Sequence, residues 1–369
     1  MTSDGSFSPD ARDSDAAPAD APRPDAEIGG RAAYLVLGMH RSGTSATGQL
    51  LSLAGARLPK NLMPADEHNA QGYFEPWRIA TFNDERLRAA GSAWDDAFAF
   101  PFPALPPQDD DSWGARAAAL LHDEYGTARH PLVKDPRVTV LLPFWREVFR
   151  AAGTAMRCVI PVRHPLAVAG SLARRDGFPP QKSLLLWSVY MLAAEAYSRD
   201  LPRAFIDYDR MLADWRGEVV RIERDHGAPL PRLGPKAAQA IDAALTSELR
   251  HNSAGGDLAA LGWTGELAAQ VHAWFASAAA DEVAPVAALD EAQATVMQRK
   301  RELGPLVSPV ARDFDAARAE LLDLRQTLAW ERRQLAEVQA RHETVLRDWW
   351  TQKGVMDEAE VALDTILAR

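Results

Sequence analysis

The chain has a single cysteine, Cys158, in 369 residues, so it can form neither an internal disulfide nor a cysteine-based metal cluster. It has no apolar run near the roughly 18 residues that span a bilayer, and its first residues lack the basic and apolar regions of a leader, so a protein without a membrane span, in the cytoplasm, is expected. It also lacks a basic excess. Lys and Arg number 41 against 51 Asp and Glu, a net charge of -10, which is no footprint for nucleic acid or an anionic membrane. The nine histidines show no ligand spacing, so no metal is expected. Large apolar side chains are nearly missing from residues 1–30, where six Asp and one Glu face only Arg12 and Arg23, a charge of -5. Such a segment cannot repay the entropy of ordering and is expected to be a disordered acidic arm.

With 47% hydrophobic residues, the remainder is long enough for a full-sized core and an additional segment. Short apolar runs at Ala33 to Leu37, Leu132 to Val133, Cys158 to Val162 and Ala204 to Ile206 alternate with helical patterns at Val138 to Ala152, Pro165 to Arg174 and Ser183 to Arg199. That alternation predicts an α/β fold, a three-layer parallel sheet covered by helices on both faces. Residues 59–130, rich in Pro, Asp and aromatics, read as a substrate-side insertion outside the core layers.

From Phe314 a seven-residue rhythm sets Phe314, Leu321, Leu328, Leu335, His342 and Trp349 in one column, with Ala317, Leu324, Glu331, Val338 and Val345 in the next. This is a heptad seam, fit for a coiled coil and a possible homodimer, or for a long helix lying on its own domain. The expected organisation is an arm (1–30), a catalytic domain (31–280), a linker (281–312) and a helical extension (313–369).

Between the first strand and first helix lies Gly38-Met39-His40-Arg41-Ser42-Gly43-Thr44-Ser45, with the spacing of a phosphate loop. Such a loop binds an anion through inward backbone N–H groups and the positive end of the following helix. Thr44 stands where an ATP-using enzyme places its phosphate-bridging lysine, and the cation is instead Arg41. A second strand, Cys158 to Val162, ends at Arg163 and leads through Pro165 into a helix carrying Ser171. A third short strand ends at Lys134, in Lys134-Asp135-Pro136-Arg137. Strand C-terminal ends are where open parallel sheets place ligands.

These three motifs together resemble the sulfotransferases that use 3'-phosphoadenosine 5'-phosphosulfate and share a P-loop-like fold. The resemblance runs in pattern over residues 33–280, but its specific motifs cover only some of them. It implies that His40, Arg41, Ser42, Gly43, Thr44 and Ser45 bind the 5'-phosphosulfate and that Arg163 and Ser171 bind the 3'-phosphate. It further implies that Lys134, with Arg41, stabilises the transferring group. Two departures stand out. Ala46 occupies the place of a stacking Trp, and Pro136 that of the usual catalytic His. Glu75, after Gly72-Tyr73-Phe74, is the first candidate for the base, with His68 and Asp135 in reserve; Arg250 is a candidate for closing the nucleotide site. Trp77, Trp94 and Trp113 are candidate walls of an acceptor cleft, and the carboxylate base leans the acceptor towards a carbohydrate hydroxyl. The competing readings are a kinase using ATP and a non-catalytic assembly protein.

Overall fold

The computed structural model of the chain describes residues 30–64, 72–102, 110–246 and 256–367. The acidic arm up to residue 29, His68 and Arg250 lie outside the described residues. The chain divides into two compact units, Met1–Pro309 and Val310–Arg369.

In the first unit, β1 (Ala32–Val36), β2 (Leu132–Lys134), β3 (Ala155–Val162) and β4 (Arg203–Asp207) form one parallel sheet in the order β2-β1-β3-β4. All five residues of β1 are buried, as expected for a strand covered on both faces. Successive side chains point to opposite faces. Leu35, Cys158 and Ile160 accordingly enter one apolar cluster, and Tyr34, Val36, Val159 and Ile206 the other.

The smaller cluster is closed by α1 (Thr44–Leu53) and, after β4, by α8 (Tyr208–Ala213), α9 (Trp215–His226) and α10 (Pro235–Ala244). The larger is closed by α2 (Trp77–Ala89), α3 (Asp110–Tyr125), α4 (Arg137–Val140), α5 (Leu142–Ala151), α6 (Pro165–Asp176), α7 (Pro180–Tyr197) and α11 (Trp263–Ala279). The single helix expected over 138–152 is two, because Pro143 in the first turn of α5 cannot donate into a preceding turn. α7 is buried nearly all round and forms the middle of its layer, which explains why it shows little amphipathic stripe.

Two further expectations change. The described residues of 59–130 contribute to the core: Ile79, Phe82 and Leu87 recur at helical spacing along α2, and Trp94, Phe98 and Phe100 are buried with them. The segment expected as a linker, 281–312, is helical from Ala287, the start of α12 (Ala287–Leu367). Leu289, Ala292 and Val296 are buried in the larger cluster, so this stretch contributes to the core. The second unit is the remainder of α12, in which every residue from Leu321 to Leu367 is exposed.

Candidate active site

Parallel pairing brings all four strand ends to one edge. Val36 is in register with Lys134 on one side and Val159 on the other, and Val162 with Asp207. The chain turns to opposite sides after β1, so the crevice of the sheet lies between the ends of β1 and β3. Arg41 follows β1 and Arg163 follows β3, so the two arginines flank that crevice.

The loop from Gly38 to Gly43 is fastened at its base by Thr139 of α4, whose hydroxyl accepts from the Gly38 N–H at 2.8 Å. Arg41 has a φ of 66°, a conformation costly for a non-glycine residue. Arg163 holds it there by donating to the Arg41 carbonyl at 2.9 Å, while Arg41 Nε donates to Ser171 Oγ at 2.8 Å. Arg163 is itself packed over the Tyr208 ring at 4.5 Å. Gly43, at φ 93°, caps α1 without a side chain, and a Cβ there would lie 2.3 Å from Tyr208 Cδ2. The Ser42 hydroxyl is fully buried and has no hydrogen-bond partner, and Thr44 is buried at the first position of α1. A buried orphan hydroxyl in a loop whose next residue must be glycine is what an anion cradle presents when its ligand is absent. The residues therefore fit a phosphate or sulfate group. Ser45 Oγ lies 3.4 Å from the Tyr73 carbonyl it donates to.

His40 is almost fully buried, edge-on to Trp94 at a centroid distance of 4.7 Å, and its Nε2 has no partner. Burial, then the cations Arg175, Arg137, Lys134 and Arg41, hold its pKa well below the ordinary histidine value. At neutral pH the loop thus presents a neutral imidazole, with its positive charge on Arg41. Burial lowers the Arg41 pKa too, and Arg175 and Arg163 lower it further, so this side of the crevice is strongly cationic.

Across α1 from the loop, Lys134 and Glu75 form a buried ion pair, Nζ to Oε1 at 2.5 Å. A Cβ at Gly48 of α1 would stand 3.5 Å from Lys134 Cγ and 3.4 Å from Phe74 Cβ, which places the pair against the helix that starts at Thr44. Burial lowers the Lys134 pKa and Glu75 counters it. The other Glu75 oxygen is 3.7 Å from Arg137. Desolvation works against the Arg137 charge, yet Asp84, Asp135 and Glu75 raise its pKa well above the usual arginine value. Phe74, at φ 56°, turns the chain so that Glu75 points inward. Asp135 has no exposure and is engaged at both oxygens, by Arg137 at 2.8 Å and Asn83 at 2.7 Å; Trp145 in turn donates to Asn83. That makes Asp135 a structural anchor.

Arg163 and Ser171, expected to act as a pair, both meet Arg41. Tyr208, Thr139 and Arg137 are not among the expected site residues, although Tyr208 directly follows β4 and the strand-end rule points to it. Of the three tryptophans, Trp94 is buried beside His40, Trp113 packs under Arg116 at 4.8 Å, and Trp77 is 40% exposed.

No protein-family model matches the chain. No curated protein sequence matches it. Among solved structures, it is similar to the sulfotransferase domain from the Synechococcus PCC 7002 olefin synthase, at 17% identity over 69% of this chain and 98% of that one, with a TM-score of 0.39. It is also similar to the sulfotransferase domain from the curacin biosynthetic pathway, at 14% identity over 69% and 99%, with a TM-score of 0.36. The chemistry of the site has to come from its own residues. No described helix is long and apolar enough to cross a membrane.

Proposed function

We propose that this chain is a sulfotransferase that moves a sulfuryl group from 3'-phosphoadenosine 5'-phosphosulfate to a hydroxyl of a glycan or glycoconjugate. The observation that carries the proposal is a phosphate loop without lysine, joined to two arginines from different strand ends through the Arg41 carbonyl. Such a site suits a ligand with two separate anionic groups better than a triphosphate, which calls for a lysine and a magnesium-organising hydroxyl beside it.

In this reading the loop amides, Ser42, Thr44 and Arg41 hold the 5'-phosphosulfate at the start of α1, with His40 and Ser45 lining the loop. Arg163 and Ser171 hold the 3'-phosphate, the arginine through its planar fork and the serine through a neutral hydrogen bond. The donor, when bound, supplies the sulfuryl group. Lys134 neutralises charge on the departing bridging oxygen, and Arg41 does so from the loop side. Glu75 takes the proton of the acceptor hydroxyl. Because Lys134 occupies Oε1, the proton is taken at Oε2 or after the ion pair opens. Support for a carbohydrate acceptor comes from this carboxylate base and from the exposed indole of Trp77 two residues on, a flat apolar surface of the kind that packs on sugar C–H faces. We place the reaction in the cytoplasm, where no disulfides are needed.

The test is transfer of label from 35S-donor to a glycan acceptor pool in the presence of excess EDTA. Labelled glycan is expected with EDTA present. No 35S transfer, with magnesium-dependent transfer of 32P from γ-labelled ATP to the same pool, would favour the kinase class.

A further inference from the structure

We propose that the second unit pairs with the same segment of a second copy of this chain, antiparallel, about a two-fold axis between Ala336 and Glu337. The seam identified in the sequence stays in phase along α12 well beyond Trp349, through Met356 and Leu363 on one column and, past Gln352, through Ala359 and Ile366 on the other. It is one continuous helix there, about 80 Å from Phe314 to Ile366 at 1.5 Å per residue. Its apolar members stand in solvent, Leu335 58% and Val338 57% exposed. A stripe of that length asks for a partner of equal length and matching period, and a second copy supplies one.

Of the three polar residues in the seam, Glu331 and His342 decide the orientation, and Gln352 faces Leu321 in the register proposed. Parallel chains in register set like against like: Glu331 would face the same carboxylate of the other copy inside the seam, and Trp349 would face Trp349. Antiparallel chains set each column against the other. With the axis at Ala336 and Glu337, Glu331 faces His342 of the other copy, and this happens twice by symmetry. Carboxylate meets imidazole, an acceptor beside a donor, in place of two like charges.

The same register also matches sizes. Phe314 meets Ala359, Ala317 meets Met356, and Leu335 meets Val338 across the axis. A shift of one heptad either way sets Glu331 against Trp349 or Leu335 and leaves a carboxylate unpaired among apolar groups. At the rim, Asp313, Glu320 and Asp348 each precede a cation by five residues, a spacing that suits parallel chains. Those pairs are exposed and screened by salt, whereas Glu331 lies in the seam, so the seam sets the orientation.

The test uses the full chain carrying Leu328→Cys and Val345→Cys, positions that face each other in this register and leave Glu331 and His342 in place. Cys158 does not compete, because it is fully buried and its thiol is pushed up to about 12 by that burial. Sedimentation equilibrium should find a dimer, and oxidation followed by peptide mapping should find position 328 linked to position 345. Within one helix these positions are roughly five turns, about 25 Å, apart, beyond disulfide reach, so such a link joins two chains. A second readout uses charge. Glu331→Lys should weaken the dimer about tenfold or more, and adding His342→Glu should recover most of the loss, since Lys and Glu then face each other. A monomer at all concentrations, leaving this face to another partner, overturns the proposal. So do 328–328 and 345–345 links, which mark a parallel pair, and so does a charge swap without recovery.

Discussion

Replacing Gly43 by alanine strikes the loop at two separable points. The residue has a φ of 93°, outside the range of ordinary side-chain-bearing residues, which costs roughly 1–2 kcal/mol. The new Cβ would also lie 2.3 Å from Tyr208 Cδ2, and that ring cannot retreat freely because it is buried and the Arg163 guanidinium covers it at 4.5 Å. Overpacking of this kind costs a further 1–3 kcal/mol or so. A total of about 3 kcal/mol lowers the melting temperature by roughly 6–12 °C in a domain of this size. Gly177 supplies the contrast: it has a φ of 70° with nothing within 4 Å of where a Cβ would stand, so Gly177→Ala should lose only the backbone part, about 1 kcal/mol. Differential scanning calorimetry of both variants reads the difference, and Gly43→Ala should also lose nucleotide binding because the cradle shifts with Tyr208. Equal losses for Gly43→Ala and Gly177→Ala would refute the packing argument. Wild-type nucleotide affinity in Gly43→Ala would refute the placement of the ligand in this loop.

Glu75→Gln is expected to reduce turnover by roughly 100-fold or more while donor affinity stays near wild type, read by steady-state kinetics and titration; unchanged turnover would pass the role of base to another residue. The same change leaves Lys134 buried without its carboxylate, so the melting temperature should fall, and the double variant Glu75→Gln/Lys134→Met should regain part of it. Stability should also depend on pH through His226 and His272, both held by burial at about 4 against an ordinary 6.5. Below about 6.5 the unfolded chain binds protons that the folded chain refuses. The stability present above that pH is therefore lost as pH falls towards 4, on the order of 3 kcal/mol per histidine. Denaturant titrations across that window check it, and a flat profile that His226→Gln leaves unchanged would contradict it.

The sheet is legible in the sequence because its strands are short apolar runs, two of which lead directly into a polar, chemistry-bearing residue, Lys134 and Arg163. The loop is legible for the same reason: its spacing is local. What stays hidden depends on contacts distant in sequence. Nothing near Ser171 says that its partner is Arg41, because that contact exists only once β3 lies beside β1. Tyr208 becomes visible only when its ring fills the space over Gly43. The stretch 59–130 has the Pro, Asp and aromatic content of a loop region, which masks the helical period of Ile79, Phe82 and Leu87. The linker reading of 281–312 fails likewise, since Pro305 and Pro309 suggest breaks where the helix continues.

On the proposed reading, Arg163 at the end of β3 holds a phosphate that ordinary adenine nucleotides lack at that place. Isothermal titration of adenosine 3',5'-bisphosphate and adenosine 5'-phosphate into the wild-type chain and Arg163→Ala tests it most directly. Because Arg163 also props the Arg41 carbonyl, the 5'-phosphate alone should lose a little affinity, while the bisphosphate should lose about 2–3 kcal/mol more, the scale of a charge-assisted contact. Equal losses for the two nucleotides, or a wild-type chain that does not prefer the bisphosphate, would contradict the account.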